Sequence, residues 1–361
     1  MMDSRLVLWQ QRNARLMLVL VALTIVVGVA VTLAPIAQGF ADKQREGAND
    51  IALYQAEVDR IRAGETYYAA TAAELVPRGY PTRSVFNWRT PLPMWLIGIL
   101  PDPVFGKALL GGLAIATMLL AFEWTAREGG RLHSALCIVL MAGGFLPCFL
   151  SNLYVMPVLW AGTLIALSVC ALGIGRNKLG IACGIAAVFV RDLAGPYCVL
   201  GMCVAVWQRR WKEAGLWFAG LAAYGLFFLW HCAQVDAWRL PEATSHAQGW
   251  LQFGGLPFLL STVQMNSFLL ILPQWVTAIY FPLALLGFAS WATPAGRYAT
   301  LTALTFVMLF AMVGLEINQY WGALTAPLLC LGAARSPIAI LELLEAANWS
   351  WRPAFAQKPT A

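Results

Sequence analysis

Charged residues are scarce in this chain, and their scarcity indicates the class of protein. Asp, Glu, Lys and Arg make up 12% of the 361 residues, against about 25% in soluble domains. The deficit excludes a pair of ordinary soluble domains, which the length alone would allow. Apolar runs of about 20 residues recur instead, as membrane-crossing helices require. We therefore predict one all-α, polytopic integral membrane domain over residues 1–361.

Histidine is also rare, and the cysteines are not spaced for chemistry. The three His residues show no HxxxH or HxxE spacing, and none of the eight Cys residues forms a CxxC pair. These absences argue against a zinc or di-iron enzyme and against a disulfide framework. The net charge of +6 is modest and is attributed to cytoplasmic loops. We expect no metal, no cofactor and no nucleic-acid partner.

The apolar runs predict a bundle of about eight full membrane spans. The first run follows Arg5, Arg12 and Arg15 and is longer than the apolar core of a cleaved signal peptide. It is interpreted as an uncleaved anchor with a cytoplasmic N-terminus. The predicted spans are Leu16–Pro35, Val104–Trp124, Ala135–Leu150, Tyr154–Ile174, Leu216–Cys232, Gln274–Trp291, Tyr298–Leu315 and Tyr320–Ala334.

Loop basicity predicts the orientation of the bundle. If the first span runs outward, the later basic positions all face the cytoplasm. They are Arg127, Arg131, Arg176, Lys178, the cluster Arg209–Lys212, Arg297 and Arg335. The pattern suits a bacterial inner (plasma) membrane, with an organelle membrane as the alternative. Residues 346–361 are expected to form a loose cytoplasmic tail.

Three apolar segments do not fit a simple span. Pro91–Pro101 and Leu256–Pro273 are interrupted by proline or polar residues, and we place both at the outer interface. Gly180–Val190 and Pro196–Trp207 flank Arg191 and Asp192, and each is too short to cross alone. We expect a short helical hairpin. Charges at such depth indicate a functional site, although this pair could also simply pin two helices together.

The first extracytoplasmic loop, residues 37–90, concentrates the polar chemistry. Between residues 42 and 89 it carries seven acidic and seven basic residues. An amphipathic interfacial helix is predicted from an Asn49 or Asp50 cap to a stop at Gly64. Asp50 and Glu57 then lie at the edge of its apolar stripe. Such carboxylates could serve as general bases, or could simply cap the helix and reach towards water.

Further polar groups are expected on the same outer face. They come from the Gln234–Gln252 loop, which contains His246, and from the cluster Glu316–Trp321, which contains Asn318. The inner loops are short and basic by comparison. We therefore place the working face of the protein outside.

The first loop resembles a known family of membrane enzymes. An early Asp50 is followed by Tyr54, then by Gly64 with Tyr67 and Tyr68, and then by the segment Asn87–Trp95. This order resembles the C-type (GT-C fold) integral-membrane glycosyltransferases over roughly residues 48–106. The rest of the chain is similar only in its multi-span architecture.

The resemblance implies both a reaction and roles for residues. In this family the acid of the first outer loop is the catalytic base, a role that falls on Asp50. The donor is a sugar on a polyprenyl phosphate, and the acceptor is a hydroxyl of a lipid, glycan or protein. The leaving phosphate needs a positive partner, for which Arg89 and Arg191 are the candidates. Further substrate contacts are expected among Tyr54, Glu57, Asp192, His246, Glu316 and Asn318.

The chain departs from the family in two respects. Its loop lacks the D-x-D or D-D pair of metal-dependent members, so no obligatory divalent metal is expected. It also lacks a large soluble C-terminal domain, so acceptor recognition must come from the membrane part or from a partner. Two other functions stay open: a transporter or lipid-moving protein with its charged site at Arg191 and Asp192, and a structural subunit of an envelope-assembly complex.

Overall fold

The computed structural model describes residues 6, 9–33, 48–245, 252–314 and 316–348. Within these ranges the protein is all-helical and has no strands. The α-helices, in chain order, are α1 Gln11–Leu33, α2 Ala48–Arg62, α3 Tyr67–Leu75, α4 Leu92–Ile99, α5 Pro103–Phe145, α6 Pro157–Gly173, α7 Asn177–Val190, α8 Gly195–Trp207, α9 Trp211–Trp238, α10 Gly255–Val263, α11 Ser267–Leu270, α12 Gln274–Ser290, α13 Pro294–Met312 and α14 Ala326–Ala346.

Five helices in the described part of the chain are long and apolar enough to cross a membrane. They are α1, α5, α9, α13 and α14. Helices α6, α7, α8 and α12 are apolar but shorter, with 17 residues or fewer. The apolar composition of these helices is that of an integral membrane protein.

Helix α5 reverses direction in its middle. Gly130 has φ 78° and ψ 175°, which is not helical, and only glycine adopts this conformation without strain. Gly111 packs against the ring of Phe149, although about 57 Å would separate these positions in a straight helix. The two halves therefore fold back on each other, as expected for Val104–Trp124 and Ala135–Leu150.

Helix α6 is the centre of the bundle. Every residue from Pro157 to Ala171 is buried, because neighbours surround the helix and its sequence is apolar on all sides. Helix α1, by contrast, is mostly exposed and packs against α12 and α14.

The segments that did not fit a span form short helices. Pro91–Pro101 contains α4, and Leu256–Pro273 contains α10 and α11. The two arms of the expected hairpin are α7 and α8, joined by a 3-10 turn at Asp192–Ala194. Helix α4 and the turn between α7 and α8 contribute to the site described below.

Two predicted boundaries are wrong. Helix α9 continues to Trp238, so Asp236 lies in a helix and not in the expected loop. The segment predicted as a span from Tyr320 begins as a 3-10 helix, Glu316–Leu324, and α14 starts only at Ala326. Apolar content predicts that a helix exists, but its ends depend on local turns that hydropathy does not report.

Candidate functional site

Helix α2 brings the acidic residues of the first loop into the protein. It ends at Arg62, just before Gly64, whose φ of 99° ends the helix as expected. Asp50 lies in the first helical turn, where a negative charge is favourable. The expectation that Asp50 caps the helix is wrong, because the helix begins two residues earlier. The Tyr80 hydroxyl instead donates a hydrogen bond of 2.6 Å to Asp50 Oδ1.

The buried face of α2 contains a carboxyl group. Leu53, Tyr54, Glu57 and Val58 are each 2% exposed. Steps of about 100° place these residues on one side of the helix, and α3 and α4 cover that side. Glu57 was expected at the edge of the apolar stripe, and the structure buries it within that face. Glu57 lies where α2 packs against α3 and α4 of the same chain.

Arg89 connects α2 to a distant part of the chain. Its Nε donates a hydrogen bond of 3.1 Å to the Tyr54 hydroxyl, and its Nη2 donates one of 3.3 Å to the Tyr320 hydroxyl. Its φ is 56°, a strained conformation for a residue with a side chain. The backbone there is fixed because the Tyr67 hydroxyl donates to the Trp88 carbonyl. Strain of this kind is common where a side chain must be aimed at a ligand.

Arg191 is the second cation of the site. It is 2% exposed, and its only ion pair in the described structure is with Asp192, at 3.6 Å from Nε to Oδ1. Its Nε has no hydrogen-bond partner. A buried guanidinium with unsatisfied donors is costly unless a ligand satisfies them. Arg191 is therefore suited to bind an anion.

The two arginines lie on the same side of the site. The Thr90 hydroxyl donates a hydrogen bond of 2.6 Å to the Val190 carbonyl, which ties the residue after Arg89 to the residue before Arg191. Burial raises the pKa of Tyr54, whereas the charges of Arg89 and, less strongly, Arg191 lower it. Both guanidinium groups thus act on one hydroxyl.

Glu57 has an unusual environment for an acid. No side chain of the described residues donates a hydrogen bond to its carboxyl group. Burial raises the pKa of Glu57 to about 8; the positive charge of Arg89 opposes this shift, and the negative charges of Glu74 and Asp50 add to it. Glu57 also contributes to the raised pKa of Tyr67, for which burial is the main cause. The charge of Glu57 is therefore coupled to those of Asp50 and Arg89 and to the Tyr67 hydroxyl.

An apolar groove of about 470 Å³ opens beside this polar cluster. Its walls come from α3, α4, the end of α7 and α9. Tyr67 belongs to both, because its ring lines the groove and its hydroxyl reaches the backbone next to Arg89. The lining residues are Thr66, Tyr67, Tyr68, Pro91, Leu92, Trp95, Phe189, Phe227, Trp230, Gln234 and Trp238.

The remaining predicted residues divide into three groups. Asp192 is half-buried beside Arg191. Asn318 is 4% exposed, and its Nδ2 has no hydrogen-bond partner. His246 and the side chain of Glu316 lie outside the described residues.

Sequence reasoning missed two tyrosines of the site. Tyr80 holds Asp50, and Tyr320 holds Arg89. Tyr320 belongs to the polar cluster Glu316–Trp321, which the sequence assigns to the same outer face as Arg89. Tyr80 had no such signal, because it lies 30 residues from its partner.

The arrangement is suited to an anionic lipid-like molecule. The charge of Arg89 acts on Tyr54 and Glu57, and that of Arg191 acts on Tyr54. Tyr67 joins this cluster to the aromatic groove. Among the residues that the structure describes, no three His, Cys, Asp or Glu side chains are grouped so as to hold a metal ion. Comparisons with family models, with curated proteins and with solved structures found no match for this chain.

Proposed function

We propose that this protein is an integral-membrane glycosyltransferase that takes a sugar from a polyprenyl phosphate on the extracytoplasmic face. The observation that carries the proposal is the placement of Asp50, Arg89 and Arg191 around Tyr54, next to an open aromatic groove. The polar cluster suits a sugar phosphate, and the groove suits the prenyl chain of the same donor. The acceptor is a hydroxyl of a lipid, glycan or protein.

In the proposed reaction, Asp50 is the general base. The acceptor oxygen attacks the anomeric carbon while its proton passes to the Asp50 carboxylate. The bond between the anomeric carbon and the phosphate oxygen breaks, and its electron pair leaves with the prenyl phosphate. Arg89 and Arg191 stabilise the added negative charge, since one guanidinium group can donate two hydrogen bonds to two oxygens of a phosphate. The hydrogen bond from Tyr80 orients the base.

The proposed topology has eight membrane crossings in a bacterial inner membrane. The two halves of α5 cross separately, because the chain reverses at Gly130. Helices α1, α6, α9, α12, α13 and α14 supply the other six crossings, and α7 and α8 form a hairpin that does not span. The basic turns then face the cytoplasm, and the site faces outward.

Asp50→Asn tests the assignment of the base, and Asp59→Asn is its matched control on the exposed face of α2. Purified protein in liposomes is given a panel of decaprenyl-phosphate hexoses and pentoses, and release of decaprenyl phosphate is measured. We expect Asp50→Asn to lower the rate by about 10²–10⁴-fold, the usual contribution of a general base. Equal rates in both variants would remove Asp50 from the mechanism.

A transporter or lipid-moving protein is the second candidate. It is favoured by the unsatisfied guanidinium of Arg191 at the turn between two short helices, since broken helices and deep charges line substrate paths. Movement of a prenyl phosphate across sealed vesicles, without release of sugar, would support this alternative. Binding of no prenyl phosphate at all would instead favour the structural-subunit interpretation.

A further inference from the structure

We propose that Glu57 binds the donor as a neutral carboxylic acid and donates a hydrogen bond to its phosphate. The proposal rests on the proposed function for the identity of the ligand. It gives Glu57 a role different from that of Asp50, although both are carboxyl groups on one face of α2. Asp50 accepts a proton, whereas Glu57 supplies a hydrogen bond.

The contacts of the two acids support different protonation states. Asp50 is half-buried and accepts a hydrogen bond of 2.6 Å from Tyr80, which stabilises a carboxylate. Glu57 is 2% exposed, and none of the described side chains donates to it. An ionised carboxylate without donors is strongly disfavoured in such a place, so the group keeps its proton.

The charges around Glu57 do not change this conclusion. On α2 it faces Asp50 and Tyr54. Helix α3 contributes Tyr67 and Glu74, and Glu74 pairs with Arg60 at 2.6 Å and with Arg78 at 3.0 Å. Helix α4 has no charged residue, and the 3-10 turn Leu153–Val155 contributes only Tyr154.

Arg89 is the positive charge with the largest effect on Glu57, and it already has partners. It donates to Tyr54, Tyr320 and the Phe86 carbonyl. Its charge opposes the raised pKa of Glu57 but does not cancel it, because burial is the larger effect. A bound phosphate would partly neutralise Arg89 and add its own negative charge. Both changes would favour the protonated form of Glu57 further, so proton and ligand stabilise each other.

A neutral acid is useful at a phosphate site. A carboxylate would repel the donor and the leaving group, whereas a carboxylic acid can donate a hydrogen bond to either. No covalent bond to Glu57 forms or breaks in this role, and its proton stays on the carboxyl group.

The test is the pH dependence of prenyl phosphate binding. Binding of farnesyl monophosphate to the full-length protein in detergent is measured by calorimetry between pH 7 and 9.5 for the wild type and for Glu57→Gln. The phosphate itself titrates near pH 6, below this window. Above pH 8 the wild-type affinity should fall by up to about tenfold per pH unit, since ionised Glu57 must regain a proton. Glu57→Gln, which stays neutral and keeps a donor, should bind independently of pH.

Proton uptake gives a second readout that needs no variant. At pH 9, wild-type binding should take up close to one proton, detected as different heats in two buffers of different ionisation enthalpy. The same pH profile in both proteins, or binding without proton uptake, would overturn the role of Glu57 while leaving the proposed function intact. Absence of binding in the wild type at every pH would overturn both proposals. Unchanged melting temperature and a single elution peak for Glu57→Gln ensure that the comparison uses folded protein.

Discussion

The two ends of α7 bury acids in opposite ways. The end of α7 that we call the Glu128 end lies near three turns, which connect α6 to α7, α8 to α9 and α12 to α13. The opposite end, which we call the Asp50 end, consists of the turn between α7 and α8 together with α2. Glu128 accepts hydrogen bonds from Trp124 Nε1 at 2.8 Å, from Thr293 at 3.1 Å and from Trp291 Nε1. Glu57 at the other end accepts none from the described residues. The donors around Glu128 fix it as a structural acceptor, whereas Glu57 has no such partners among the described side chains.

The same contrast holds for the other charges at the Glu128 end. Glu213 accepts hydrogen bonds from Asn177, at 2.8 Å, and from Arg210. A pocket of about 320 Å³ lies between these groups, so open space alone does not identify a site. At the Asp50 end, Arg191 is buried, and its only ion pair among the described residues is the 3.6 Å contact with Asp192. Arg210 at the Glu128 end also has an Nε without a hydrogen-bond partner, but its Nη1 donates to Glu213. The pairing of the charged groups, and not the open space alone, therefore distinguishes the two ends.

Removing Glu128 is expected to have the largest effect on folding. Glu128→Ala leaves the buried indole N–H groups of Trp124 and Trp291 without an acceptor, at about 1–3 kcal/mol each. We expect a loss of about 3 kcal/mol in the free energy of unfolding, measured by denaturation in detergent. Glu123→Ala, which breaks only the surface pair with Arg127, should lose less than about 1 kcal/mol. Similar losses of unfolding free energy in the two variants would contradict the structural role of Glu128.

Removing Arg191 is expected to affect binding without a loss of stability. Arg191→Met should weaken farnesyl monophosphate binding by about 10–100-fold, the value of a charge-assisted contact. Its melting temperature should change little, because Met fills the same buried space and the only ion pair lost is the 3.6 Å contact with Asp192. Arg83→Met removes an exposed charge of the first loop and should leave binding within about twofold. Destabilisation by Arg191→Met with unchanged binding would make this arginine structural, like Glu128.

Tyr80→Phe is expected to have the smallest effect. It removes the 2.6 Å hydrogen bond to Asp50 but leaves the carboxylate in place. The transfer rate should fall less than tenfold, since one hydrogen bond contributes about 0.5–1.5 kcal/mol. A loss as large as that of Asp50→Asn, in the same assay with decaprenyl-phosphate sugars, would mean that Tyr80 takes part in proton transfer.

Much of the architecture follows from local sequence signals. The apolar runs predict the helices, and Gly64 marks the end of α2. The sequence predicts separate helices on either side of the charged Arg127 and Arg131, and the chain reverses direction at that point. The structure adds Gly130 as the reversal point, which a hydropathy pattern does not identify.

The site depends on contacts that no local pattern contains. The hydrogen bond between Arg89 and Tyr320 joins residues 231 positions apart. The periodicity of α2 places Glu57 at the edge of its apolar face, but it does not show which elements cover that face. Only the packing of α3 and α4 makes that position a buried one, and burial gives Glu57 its pKa. The sequence therefore predicts which residues share one face of a helix, but it does not predict the protonation state of each acid on that face.

The most direct test of the account is the position of a bound prenyl phosphate. An electron cryo-microscopy structure of the full chain with farnesyl monophosphate would locate both parts of the molecule. We expect the phosphate between the guanidinium groups of Arg89 and Arg191, near Tyr54, with the prenyl chain in the groove lined by Tyr67 and Trp230. Phosphate density at the Glu128 end, or a prenyl chain lying elsewhere on the bundle, would contradict the account.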